Sequence, residues 1–524
     1  MHGLTDVVVL LAVAVLGAAL ARRLGLLSPI LLVVVGLALS FVPGFLDVRL
    51  EPDLVLVGIL PPLLYVAALE TSVPAFRHNL RPILLLAVGL VLFTAVAVGF
   101  VVHALLPGVP LAICLALGAV VAPPDAVAAT AVARRIGLPR RVVTILEGES
   151  LVNDATALVL LRVTSAAAIG SAAGVGSIGR EVLVATGGGI AVGLLGMLVF
   201  GFLHKKTTDP LIDNALSLIT PFAVVLLAES FHASGVVAVV VAGLGLGHKL
   251  PVLMSAASRL QMGAFWRLVK FLLEGLVFLL VGLQLRDVLT GLDTPGGTIV
   301  LATAAVLGTI VLARFVWMYP ATYLERLVPR VRRRDPAPDP RVPTIIAWAG
   351  MRGVVTLAAA LALPLTLAGG TTYPRELFVW LAFAVIVATL VLQGATLPTT
   401  ARRLRLPGDD AVQDALAEAE VQQRAGRAAR ERLEELAADA PESVVKRLRR
   451  LVEDRTNSAW ERLGGDRQET PSQAYGRVRQ EMIDAEREVF RAARDQGRIP
   501  EEALVRAYRD LDLEESLLRR RSEE

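Results

Sequence analysis

Three carboxylates, an amide and a hydroxyl fall within eight residues in Glu147-Gly148-Glu149-Ser150-Leu151-Val152-Asn153-Asp154, and apolar sequence follows at once. At about 100° per residue, Ser150 and Asp154 share one helix face, with Glu147 a turn earlier on that side. Glu149 and Asn153 occupy an adjacent face, so Glu149 points away from Glu147. A charged side chain at mid-membrane costs about 2.5–3.5 kcal/mol on insertion scales. A chain that keeps several there uses them for an ion or a proton. Glu147 lies close to Arg140-Arg141 and reads equally well as a solvated helix start.

Two further charges belong to this chemistry. Asp125 follows Pro123-Pro124 in the middle of an apolar run with no charged neighbour in it, which marks a functional carboxylate. Arg352 sits in Ala347-Trp348-Ala349-Gly350-Met351-Arg352-Gly353-Val354-Val355. A buried arginine keeps its charge and prefers a bidentate carboxylate. Glu149, Asp154 and Asp125 are the candidates. Glu149 is preferred, because an aspartate tied permanently to arginine cannot release and rebind protons. Arg162, Glu229, His232 and Arg314 fall near span ends, where side chains snorkel. Glu274 is a pathway residue or half of an interhelical ion pair, with the pair preferred. His103 lies near an outer end, where a pH-sensing role has no support in the sequence.

The elements that must position these groups are membrane spans. The 524 residues are 55% hydrophobic, with mean hydropathy +0.62. Residues 401–524 hold 53 of the 100 charged side chains, so a membrane domain (1–400) precedes a charged tail (401–524). Thirteen apolar segments are predicted, near 4–21, 28–44, 54–70, 82–106, 111–133, 141–166, 181–203, 211–231, 233–249, 264–286, 298–323, 343–366 and 376–399. With the N-terminus outside, Arg22-Arg23, Arg77/Arg81, Arg134-Arg135 with Arg140-Arg141, Lys205-Lys206, Lys249/Arg259 and the basic residues from Arg326 to Arg341 all fall on the inner side. The loops of the other side are poor in basic residues, as the positive-inside rule requires. The tail is then cytoplasmic. It is expected to form helices over 410–436, 442–455, 472–496 and 501–521, punctuated by Gly464-Gly465 and Gly497. Helix breakers sit mid-span at Pro61-Pro62, at Pro123-Pro124 and at Gly350/Gly353. Proline and glycine are common in membrane helices, so an isolated one carries no function, whereas Pro123-Pro124, followed at once by Asp125, reads as a break that forms an ion site.

Other classes are disfavoured. Cys114 is the one cysteine, so a monomer has no disulfide and no thiol metal site. There is no HExxH, Walker or GxSxG motif, and no cofactor is expected. The net charge of +4 is divided between a basic membrane part and a slightly acidic tail, and neither part reads as a nucleic-acid binder. Residues 7–20 lack a preceding basic stretch and read as a retained first span.

Taken in order, Pro61-Pro62-Leu63-Leu64-Tyr65, Ala122-Pro123-Pro124-Asp125-Ala126-Val127-Ala128, the 147–154 run and Gly350-Met351-Arg352-Gly353-Val354-Val355 resemble the monovalent cation:proton antiporter family, in its electroneutral sodium/proton exchanger branch and bacterial form. The resemblance covers roughly residues 1–400. It implies an all-α polytopic fold of two inverted repeats with crossed, broken helices, and a homodimer in the plasma membrane. It implies an ion site at Asp154 and Asp125, with Ser150 as hydroxyl ligand for Na⁺ or K⁺, and a Glu149–Arg352 structural pair. Asn153 stands where the electrogenic branch has a second aspartate, which fits one-for-one exchange. Many members have threonine where this chain has Pro124, so a hydroxyl ligand is lost and a backbone carbonyl remains. Archaeal members carry a glutamate near Val66.

The resulting expectation is a secondary antiporter, not an enzyme, that exchanges cytoplasmic Na⁺ (or K⁺ or Li⁺) for external H⁺ in pH and cation homeostasis. Asp154, assisted by Asp125, would hold either a cation or protons. A passive cation channel, or a membrane sensor signalling through the tail, are the alternatives.

Overall fold

The computed structural model describes residues 2–523 apart from 43–50, 126–128, 131, 134–136, 171–174, 328, 330–337, 406–410 and 462–468. Part of the Pro123-Pro124-Asp125 motif, Arg134-Arg135, part of the loop before Glu51, most of the basic loop before Arg341, and Gly464-Gly465 therefore lie outside the described residues. The chain forms two compact units, Met1–Pro407 and Gly408–Glu524.

The first unit is all helix among the described residues. Its main helices are α1 (His2–Leu24), α2 (Ser28–Ser40), α3 (Leu54–Glu70), α4 (Leu80–Leu105), α5 (Leu111–Val121), α6 (Arg140–Ala168), α7 (Val175–Lys206), α8 (Pro210–Ser230), α9 (Gly235–Leu253), α10 (Ala256–Leu283), α11 (Gly296–Tyr323), α12 (Arg341–Trp348), α13 (Val354–Leu361) and α14 (Arg375–Leu404), with short helical turns at Val73–His78 and Leu285–Thr290. Nine helices among the described residues are long and apolar enough to cross a bilayer, and α2, α3 and α5 are shorter apolar helices. Helix is the dictated choice, because hydrocarbon offers no water to satisfy an open backbone. Side chains with little polarity cannot drive association there either, so small residues let backbones approach. At the α2–α10 crossing, Gly36 and Gly282 face each other. A methyl group on Gly36 would collide with the Leu279 carbonyl, and one on Gly282 with the Val33 carbonyl.

Pro61-Pro62 does not break its helix. The chain winds as a π-helix over Leu54–Ile59, and the prolines then occupy the opening positions of the α-helical stretch Leu60–Glu70. Proline fits the first turn of a helix, where its missing N–H is not needed. The other two breaks are present. Helix α5 stops at Val121, and Pro123, Pro124 and Asp125 are non-helical; α12 stops at Trp348, and helix resumes only at Val354.

A buried polar pair that the sequence pattern did not single out joins α7 to α8. His204 Nδ1 and Asp213 Oδ1 share a hydrogen bond of 2.9 Å, and both side chains are fully buried. On the same face of α8, Ser217 accepts a 2.8 Å hydrogen bond from Trp266 Nε1. Such bonds fix neighbouring helices in register where apolar contact alone would let them slide.

The second unit contains α15 (Ala411–Leu436), α16 (Glu442–Glu461), α17 (Pro471–Asp495) and α18 (Glu501–Glu523). These match the four stretches expected from sequence, and α16 continues past the expected end at 455. Thr470 caps α17 in a capping box with Gln473. Ile483, Leu511 and Leu518 form a small apolar seam between α17 and α18. Beside it Arg479 makes a bidentate pair with Glu514, both bonds 2.7 Å, and Arg487 pairs with Glu515 at 2.6 Å. Those arginines hold the Glu514 and Glu515 carboxyls below the usual carboxylate range.

Candidate functional site

The two broken segments meet. Asp125 N–H donates to the Met351 carbonyl at 2.7 Å, which ties the chain after α5 to the chain between α12 and α13. Helix α6 joins the crossing from the side. Asn153 Nδ2 donates to the Pro124 carbonyl at 2.7 Å, and Asn153 is fully buried. Both bonds satisfy backbone groups that the helix breaks would otherwise strand away from water.

The Asp125 carboxyl lies against Gly353, the residue that opens α13. A negative charge at a helix N-terminus faces unpaired backbone N–H groups and the positive end of the helix dipole. Only glycine permits that approach, because a Cβ on residue 353 would overlap the Asp125 carboxylate. Gly353→Ala is therefore expected to displace Asp125. The variant should keep its helical content by circular dichroism while its thermal midpoint in detergent falls, because the contact between the two broken segments is disturbed.

Asp154 is 7% exposed and interacts electrostatically with Asp125. Ser150, one turn earlier on α6, is half-buried, as is Glu147. The crossing thus brings together Asp125, Pro124, Asn153 and Asp154, and the helix carries Ser150 on the Asp154 side. Carboxylates, hydroxyls and backbone carbonyls are hard-oxygen donors of the kind that alkali cations take. The Pro124 carbonyl already accepts one hydrogen bond and keeps one lone pair.

The expected Glu149–Arg352 pair is replaced by a different one. Glu149 is bound bidentately by Arg314, with NH1–Oε1 2.7 Å and NH2–Oε2 2.9 Å, and the two side chains are 1% and 2% exposed. Arg314 is not a snorkelling span-end residue. It sits inside α11, and its Nε also donates to the Ile346 carbonyl in the last turn of α12. Arg352, 1% exposed, is held by backbone instead. Its Nε donates to the Val121 carbonyl at 2.8 Å and its NH1 to the Gly350 carbonyl at 2.7 Å. Its own N–H donates to Thr389 Oγ1 at 3.0 Å. Each arginine therefore stands at the negative end of a broken helix, Arg352 at α5 and Arg314 at α12, where a cation is favoured. Glu149 and Arg352 still interact electrostatically, so both guanidinium groups share one carboxylate as counter-charge.

Other candidates fall elsewhere. The preferred interhelical pair for Glu274 is absent among the described residues: Lys270 binds Glu70 at 3.1 Å, and Glu274 Oε1 is shut from solvent without a hydrogen-bond partner. Arg162, Glu229 and His232 are exposed, and Arg162 reaches the His232 carbonyl. His103 Nδ1 donates to the Val109 carbonyl at 2.8 Å, a bond that closes the turn after α4.

A helical membrane unit with two broken segments crossing beside buried carboxylates defines a class of secondary transporter. Comparison with known proteins specifies it. The family profile described as "Sodium/hydrogen exchanger, transmembrane" matches residues 9–403, and the chain belongs to that family. It is 38% identical to the "Uncharacterized Na(+)/H(+) exchanger Rv2287" of Mycobacterium tuberculosis, over 98% of this chain and 96% of that protein. It is 31% identical to the "Sodium, potassium, lithium and rubidium/H(+) antiporter" of Bacillus pumilus, over 71% of this chain and 57% of that one. Among solved structures, the sodium proton antiporter MjNhaP1 of Methanocaldococcus jannaschii superposes with a TM-score of 0.62 at 20% identity, over 78% of this chain and all of that one. The last likeness establishes the shared fold.

Proposed function

We propose that this multi-pass membrane protein exchanges a monovalent cation for protons at a site built on Asp154 and Asp125. The observation that carries the reading is the crossing itself: Asp125, where the two helix breaks meet, interacts electrostatically with Asp154 on the unbroken helix α6. Two adjacent carboxylates repel each other, and the repulsion is relieved by either a proton or a cation. Cation entry then expels the proton, and the loaded site is exposed alternately to the two faces. Ser150 and the Pro124 carbonyl complete the donor set.

Asn153 keeps the site at two carboxylates, which favours electroneutral exchange of one cation for one proton. Glu149, Arg314 and Arg352 act as scaffold. In this reading the protein is a homodimer in the plasma membrane with its N-terminus outside and the tail of residues 401–524 in the cytoplasm, an orientation that the distribution of basic loop residues supports. A proton gradient would drive Na⁺ out of the cell, with K⁺ or Li⁺ as further cargoes. The cations in the Bacillus pumilus relative's name make K⁺ and Rb⁺ necessary arms of the test.

Proteoliposomes loaded with a pH-sensitive dye test the reading. Added Na⁺, Li⁺, K⁺ or Rb⁺ should move protons out, with no change when the membrane potential is clamped. Cation flux without obligatory proton flux would instead identify a channel.

A further inference from the structure

Glu274 is a carboxylate that neither the scaffold nor the proposed site uses. It lies on α10, whose neighbours include α3 and α13. One turn before it on the same face, Lys270 is engaged with Glu70 at the end of α3. That pair is open to the surroundings, with side chains 32% and 47% exposed. Glu274 is deeper, its Oε1 is enclosed, and no hydrogen bond satisfies that atom. Glu274 interacts electrostatically first with Lys270 and then with Asp125, which rests against the start of α13. Exposed pair, enclosed carboxylate and site carboxylates thus follow one another inward.

An enclosed carboxylate oxygen without a hydrogen-bonded partner is costly to a fold. Lys270 gives its hydrogen bond to Glu70 and reaches Glu274 by charge alone, so no direct ion pair holds the Glu274 carboxyl among the described residues. We propose that Glu274 is a further cation-binding carboxylate, a relay at which Na⁺, Li⁺ or K⁺ pauses between the Glu70–Lys270 mouth and the Asp125–Asp154 site. The proposal rests on the antiporter reading. The charge distribution of the loops places this mouth on the cytoplasmic side, because α3 ends immediately before the basic segment with Arg77 and Arg81. Lys270, by holding Glu70, leaves Glu274 available while keeping the mouth from accumulating negative charge.

The test compares wild type, Glu274→Gln and Glu274→Asp in the same proteoliposome preparation, with Na⁺ and Li⁺ titrated. Glu274→Gln is expected to raise the half-saturating cation concentration about tenfold, the equivalent of about 1.4 kcal/mol, with the maximal rate retained. Glu274→Asp should recover part of that loss. The thermal midpoint of Glu274→Gln in detergent should equal or exceed wild type, since an amide replaces an unsatisfied charge. Unchanged half-saturation would overturn the proposal, as would a lowered midpoint, which marks a structural pair. A folded variant inactive at every cation concentration would overturn the relay role by placing Glu274 in the site itself. Exchange by wild type in the same vesicles separates these outcomes from failure of the antiporter reading, which would show as no cation-driven proton movement in any sample.

Discussion

Asp154→Asn is expected to reduce cation-driven proton movement to that of protein-free liposomes, in a protein that stays folded. The substitution keeps size and shape. Asp154 is 7% exposed and makes no ion pair with an arginine among the described residues, so no buried cation is left uncompensated. What is lost is the capacity to trade a proton for a cation. An amide can offer an oxygen to a cation, but it has no proton to release and no charge to balance. Retained exchange in a folded Asp154→Asn protein would move the site elsewhere. A folded, inactive variant would also separate transport from a signalling role, in which loss of the ion site would leave the tail's partner unaffected.

Glu149→Ala is expected to act on the fold first. It leaves Arg314 with the Ile346 carbonyl alone and removes the carboxylate near Arg352. Breaking a buried pair by removing one partner costs about 3–5 kcal/mol. The readout is a lowered thermal midpoint in detergent and poor recovery from the membrane. Replacing both partners, as Glu149→Leu with Arg314→Met, should restore much of the stability, because an apolar pair carries no uncompensated charge. A Glu149→Ala protein with wild-type stability and no exchange would make Glu149 part of the transport path.

How far the sequence could reach is clearest in this pair. Helical spacing correctly separated the 147–154 run into two faces. Asn153 and Glu149 now bind the Pro124 carbonyl and Arg314, while Asp154 engages Asp125. Periodicity within one helix says which residues share a face, but not which distant span that face meets. Arg352 stands out in the sequence because it is a charge inside an apolar run, with Gly350 and Gly353 beside it. Those same glycines mark exposed backbone carbonyls, and carbonyls are what hold it. Arg314 was misplaced as a span-end residue although nine residues separate it from the end of α11 at Tyr323, about 14 Å of helix. That distance was a usable signal.

The breaks divide in the same way. Pro123-Pro124 and Gly350/Gly353 end helices as their chemistry predicts. Pro61-Pro62 does not, because a preceding π-helical stretch turns the prolines into opening residues, and no local pattern announced that stretch. Glu274 failed for a related reason. No interhelical partner meets it among the described residues, and Lys270, one turn away on its own helix, hydrogen-bonds Glu70, two hundred residues distant in sequence.

The central claim is that one site holds a cation or protons but not both. Its most direct test is the dependence of wild-type exchange on Na⁺ concentration over a series of pH values in proteoliposomes with the membrane potential clamped. Competition for the Asp154–Asp125 site predicts that the half-saturating Na⁺ concentration rises about tenfold per pH unit toward acid once the site is protonated, for one proton displaced per cation, while the maximal rate at saturating Na⁺ is unchanged. A half-saturating concentration that does not move with pH, or a fall in maximal rate that added Na⁺ cannot restore, would contradict a shared site.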